Sequence, residues 1–111
     1  MSGFEKIKEE AGVLIENHNK EIEQKYGKGY NSPHEWHSVE REEVQEVEEN
    51  LNELKNLVEE KLWFQIRNNV EITEGNLDEV ILLAKEVIAE AVQVGAVALR
   101  MKHGIEEKTK E

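Results

Sequence analysis

The chain has 111 residues, 14 basic and 25 acidic, for a formal charge of −11; 38% of residues are hydrophobic, 5% are aromatic and none is cysteine. One domain fits that length, and a chain this polar builds only a modest core, so long helices sharing apolar faces with a partner are expected. The acidity excludes a nucleic-acid-polymer surface, which needs clustered Lys and Arg, and the missing thiols exclude a disulfide scaffold, a thiolate zinc site and a cysteine nucleophile.

The N-terminal Met1 to Lys6 is charged and carries no apolar signal segment, and the longest weakly charged apolar run, Val87 to Leu99, is too short to span a bilayer. A soluble cytoplasmic protein is the expectation. A first helix is predicted over Phe4 to Tyr26, where Phe4, Ile7, Ala11, Leu14, Ile15, Ile22 and Tyr26 recur at helical spacing with His18 on the same stripe. Gly27 to Gly29 breaks it. Ser32-Pro33-His34-Glu35 then supplies a capping hydroxyl, a proline at the first helical position and a glutamate three residues after the cap. The second helix follows the stripe from Trp36 and Val39 to Val58 and Leu62, and reaches about Arg67, with Asn68-Asn69 ending it and Gly75 marking a loop. Asn76 with Glu79 is the predicted cap pair of a third helix, roughly Leu77 to Lys102. Val80, Ala84, Val87, Ala91, Val94 and Ala98 share one of its faces, and Ile88, Gly95 and Leu99 extend the apolar circumference. Three helices can hardly enclose so apolar a helix, so a homodimer or homotetramer is expected. The reading is an all-α single domain over 1–103 with three main long helices, completed by oligomerisation, and a polar tail over 104–111 that frays.

Two acidic groups hold whatever chemistry the sequence has. Glu43 and Glu46, three apart, are neighbours on the second helix, and Glu43 falls about 50° from the centre of the apolar stripe. Glu90 is the only charge between Val87 and Leu99, and Glu86, Glu90 and Gln93 form one polar stripe on the most apolar helix. Taking isolated carboxylates out of water costs several kcal/mol each unless something compensates. The alternatives are a solvated charge run for the first group, a salt bridge for the second, or a divalent cation held between them. Magnesium, or manganese in its place, suits a site of oxygen ligands and substrate phosphates. Glycine-rich phosphate loops, HExxH and nucleophile elbows are absent. His34 and His37 open the second helix three residues apart, a spacing that fits a transition metal but more commonly marks a polar helix entry. Lys61, Arg67, Lys85 and Arg100 flank the acidic helices and are long enough to reach phosphates; surface ion pairing is the commoner use of such residues.

The motifs Glu42-Glu43-Val44-Gln45-Glu46 and Glu90-Ala91-Val92-Gln93 resemble the EExxE and ExxD pattern of the MazG-like all-α nucleoside triphosphate pyrophosphohydrolases. The likeness extends to the entry Asn31-Ser32-Pro33-His34-Glu35 and to Glu90 through Ala98, closest to the small phage and bacterial members. It implies a MazG-like helical bundle and magnesium-dependent cleavage between the α- and β-phosphates of a nucleotide. On that analogy Glu43, Glu46, Glu90 and Gln93 hold the metal, and Glu42 or Glu86 is the general base. The base of the nucleotide stacks on Trp36 or Trp63, and Lys61 and Arg67 lie on the substrate side. Three departures stand out. Gln93 replaces the aspartate, leaving an amide oxygen as a weaker ligand. Glu40 takes an aliphatic place on the stripe, and the Val47 to Ala89 connection is longer than in compact members.

Overall fold

A computed structural model describes residues 2–110 of the chain. Four α-helices account for nearly all of it: α1 (Gly3–Tyr26), α2 (Pro33–Asn56), α3 (Trp63–Arg67) and α4 (Glu74–Thr109), with a π-helical turn over Leu57–Leu62 joining α2 to α3. No strand occurs among the described residues.

Local chemistry sets the boundaries. Ser2 Oγ accepts the Glu5 amide at the start of α1, and Ser32 Oγ accepts the Glu35 amide at the start of α2, with Pro33 directly after the cap. Gly27 (φ 84°) and Gly29 (φ 74°) take the left-handed conformations that stop α1. Asn69 does the same after α3 with φ 58°. The third long helix begins earlier than its sequence signals: Thr73 is the cap, its hydroxyl accepting the Asn76 amide while the Asn76 side chain accepts the Thr73 amide. Asn76 is therefore the third helical residue rather than the cap, and Gly75 sits inside the first turn. At the other end α4 runs through Gly104 to Thr109, so the expected frayed tail is helix. Gly104 packs against the backbone of Gly29, and that contact carries the helix past the glycine.

Packing centres on α4. It lies against α1 on one side and α2 on the other, and no contact joins α1 to α2 among the described residues. Ile15 beside Gly95 and Glu23 beside His103 set α1 parallel to α4. Lys61 beside Glu79 and Tyr30 under Arg100 set α2 antiparallel to it. The result is a layer one helix thick, with extents of 66 × 34 × 21 Å. Leu57, Leu62, Ala96 and Val97 are its buried hydrophobic residues. The stripe predicted on α1 is only partly covered: Ala11, Ile15, His18 and Ile22 are half-buried against α4, whereas Phe4, Ile7, Leu14 and Tyr26 face solvent. A helix with one neighbour buries a narrower stripe than its pattern offers. Among the described residues no helix is long and apolar enough to cross a membrane.

Candidate metal centre

The seam between α2 and α4 brings three carboxylates together. Glu43 and Glu46 come from adjacent positions on one face of α2, and Glu90 from the middle of α4. One oxygen from each lies within 4.8 Å of the others. Glu43 and Glu90 are half-buried and Glu46 is exposed. Glu43 Oε2 and Glu90 Oε2 are buried without a hydrogen-bond donor, although buried carboxylate oxygens are ordinarily satisfied.

Electrostatics follow from that crowding. Burial, then repulsion from Glu46 and Glu90, pushes the Glu43 carboxyl above the usual glutamate range. Glu90 is raised chiefly by the Glu46 carboxyl facing it, then by burial and by the charges of Glu46 and Glu86. Among the described residues no lysine or arginine ion pair serves these three acids: the Lys–Glu pairs join Lys8 to Glu5, Lys61 to Glu79 and Lys102 to Glu106. The arrangement disposes of the salt-bridge reading for Glu90 and leaves protons or an external cation as the compensating charge. Two orphaned buried oxygens among three converging carboxylates match the donor set of a hard divalent ion.

Other candidates fall at different distances. Trp36 is half-buried on α2, two turns before Glu43, and its Nε1 is buried without a partner. Glu40 lies between them, one oxygen likewise buried and unpaired; burial raises its carboxyl, and the nearby Trp36 indole partly offsets this. Glu40 thus extends the acidic seam toward the aromatic ring. Glu42 and Glu86 are exposed and flank the cluster. Gln93 is half-buried and lines the groove between α1 and α4 with Leu14, His18 and Ile88.

Lys61, Trp63 and Arg67 are not brought to the carboxylates. Lys61 pairs with Glu79 at 3.7 Å, and Glu79 stands about 16 Å along α4 from Glu90 at 1.5 Å per residue. Trp63 is 53% exposed, and Arg67 covers the Phe64 ring, its guanidinium carbon 5.8 Å from the centroid. Both stand still farther toward the end of the layer, because the long connection prolongs the α2–α4 hairpin instead of folding over the acids.

A second polar cluster ties the C-terminal end of α1 to α4. His103 Nδ1–H donates to Glu23 Oε2 at 2.6 Å, and the Asn19 amide, with only 1% of its residue surface exposed, donates to the same oxygen. Sequence spacing carries no sign of this cluster, since His103 is 80 residues from Glu23. Comparison of the chain with protein-family models, with curated proteins and with solved structures finds no match.

Proposed function

We propose that the chain is a magnesium-dependent nucleotide pyrophosphohydrolase, using water to split the α–β phosphate bond of a (deoxy)nucleoside triphosphate into a monophosphate and pyrophosphate. The observation that supports it best is the convergence of Glu43, Glu46 and Glu90 in an apolar seam with two orphaned buried oxygens and no cationic side chain. The resemblance of both acidic motifs to the MazG-like enzymes supplies the substrate class, and a homo-oligomer is part of the same reading.

Glu43, Glu46 and Glu90 would hold the ion, which supplies charge neutralisation for the phosphates and an acidified water. Glu42 or Glu86 accepts the proton of the attacking water from the solvent side of the cluster. Trp36 is the aromatic side chain nearest the acids along α2 and takes the stacking role, while Trp63, Lys61 and Arg67 lie too far along the layer to share it. Gln93 in place of an aspartate lowers the charge near the site and favours a second reading, a sensor that binds nucleotide with little turnover.

A divalent-ion titration separates these readings from a purely structural bundle. Magnesium at a hundredfold excess over its Kd stabilises the fold by about 2.7 kcal/mol, a rise in Tm on the order of 10 °C for a chain of this size. Glu90→Gln abolishes that rise, and wild-type protein releases pyrophosphate from at least one member of a broad nucleotide panel. Ion-dependent nucleotide binding with no pyrophosphate identifies the sensor. A Tm indifferent to magnesium and manganese, together with an unreactive panel, rejects both.

A further inference from the structure

The proposed reaction makes no use of the Asn19–Glu23–His103 cluster, which lies about 20 Å along α4 from Glu90. Asn19 is 1% exposed, and its Oδ1 is buried without a donor. An unpaired buried acceptor costs about 1–3 kcal/mol, and an apolar side chain at position 19 would join α1 to α4 without that cost. What the cluster achieves instead is orientation. The Asn19 amide and His103 Nδ1–H both donate to Glu23 Oε2, which fixes the carboxylate and, through it, the tautomer and direction of the imidazole. A neutral ring protonated on Nδ1 carries its lone pair on Nε2. Nε2 makes no hydrogen bond among the described residues, and the His103 side chain, 34% exposed, lines a groove of about 680 Å³ between α1 and α4. Glu107, four residues on, lines the same groove and has no ion-pair partner among the described residues.

We infer that His103 Nε2 and the Glu107 carboxylate bind a divalent transition metal of the zinc type, at a site separate from the Glu43–Glu46–Glu90 cluster. A histidine that ligates a metal characteristically donates its other ring nitrogen to a carboxylate, which sets the tautomer and raises the basicity of the ligating nitrogen. That support is present here: Glu23, only 13% exposed, receives Nδ1–H, and Asn19 holds Glu23 in turn. His103 and Glu107 stand at i and i+4 on one face of α4, the placement by which a helix offers two ligands to one ion. Glu107 is exposed, so its carboxylate turns toward Nε2 at no cost to packing. Two protein ligands leave the remaining positions to water, which the open groove supplies. The imidazole nitrogen favours zinc, cobalt or nickel over magnesium, a hard ion that takes oxygen ligands. Nucleophile activation, the other use of a carboxylate–imidazole pair, lacks its object, because the groove is lined by no serine, threonine or cysteine.

The test is a zinc titration of the full chain in excess magnesium, followed through the side-chain nitrogen resonances of its four histidines. Zinc shifts His103 Nε2 as a ligand while Nδ1 keeps its proton, and magnesium alone leaves both unmoved. Glu23→Gln weakens zinc binding by roughly 10–100-fold, the usual cost of losing the partner behind a ligand histidine. Glu107→Gln, at an exposed position that the fold does not depend on, weakens it at least as much. His103→Gln keeps a donor for Glu23 and abolishes the site. His34→Asn with His37→Asn leaves the response of His103 unchanged. Glu90→Gln leaves it unchanged as well, so this site and the magnesium reading fail separately. A His103 resonance indifferent to zinc overturns the inference, as does zinc binding that survives His103→Gln and is lost with His34 and His37.

Discussion

Glu43 and Glu90 bear the cost of the acidic seam, and the sign of that cost is fixed by their titration. Both carboxyls are raised above the ordinary glutamate value of 4.5, Glu43 mainly by burial and Glu90 mainly by the Glu46 carboxyl facing it. A raised folded-state value means that the fold binds protons more tightly than the unfolded chain. The stabilisation is complete below 4.5 and is lost as pH climbs through the raised values. Metal-free protein should accordingly gain thermal stability from these groups as pH is lowered from neutrality toward about 5, and Glu43→Gln should flatten that part of the profile. A cation competes with the same protons, so the rise in Tm on adding magnesium should be larger at pH 8 than at pH 5. Scanning calorimetry across this range, with and without magnesium, checks both. An ion effect independent of pH would place the cation elsewhere. These acids were legible in the sequence because two periodicities exposed them: a three-residue step on α2 and a lone charge in an apolar run on α4. The Asn19–Glu23–His103 cluster was not, since no local pattern links side chains that only the parallel packing of α1 on α4 brings together.

Among the elements, the Ser32-Pro33 cap marked the start of α2, and the apolar stripes located all three long helices, whereas the Ser2 cap of α1 was not read from the sequence. What escaped was set by contacts remote in sequence. Gly104 reads as a helix stop, but a residue without a side chain is what the Gly29 loop requires of the helix crossing it. A Cβ at position 104 would fall on the Gly29 backbone, which cannot yield as a flexible side chain would. Gly104→Ala should therefore cost about 1–3 kcal/mol despite the better helix propensity of alanine. It should also loosen the loop that Gly29 anchors through its amide, a 2.9 Å hydrogen bond to the Arg100 carbonyl. Urea denaturation measures the first effect and amide exchange at Gly29 the second. A stabilised variant would mean that the loop adapts without cost. The π-helical turn over Leu57–Leu62 was equally hidden: its residues continue the apolar spacing of α2, and the widened turn buries Leu57 and Leu62 together.

At the scale of the whole molecule, the sequence showed a central helix too apolar for three helices to cover, and the one-layer packing explains how that surplus is distributed. With α1 and α2 on opposite flanks of α4, both broad faces stay open, and the chain exposes 8487 Å² where a folded monomer of 12.9 kDa exposes about 6,300 Å², so the proposed homo-oligomer has thermodynamic consequences that can be measured. If folding and pairing are one process, unfolding releases two chains and mass action enters the stability. Each tenfold increase in protein concentration then adds about 1.4 kcal/mol per dimer. For a unit of roughly 220 residues this raises Tm by roughly 3–5 °C. The measurement needs only wild-type, metal-free protein scanned over a hundredfold concentration range under reversible conditions. Adding magnesium should raise the whole series without changing its slope if the Glu43–Glu46–Glu90 cluster takes no part in the contact between copies. A Tm that does not move with concentration would show that the single layer folds alone. A slope that collapses in magnesium would instead couple the acidic cluster to assembly.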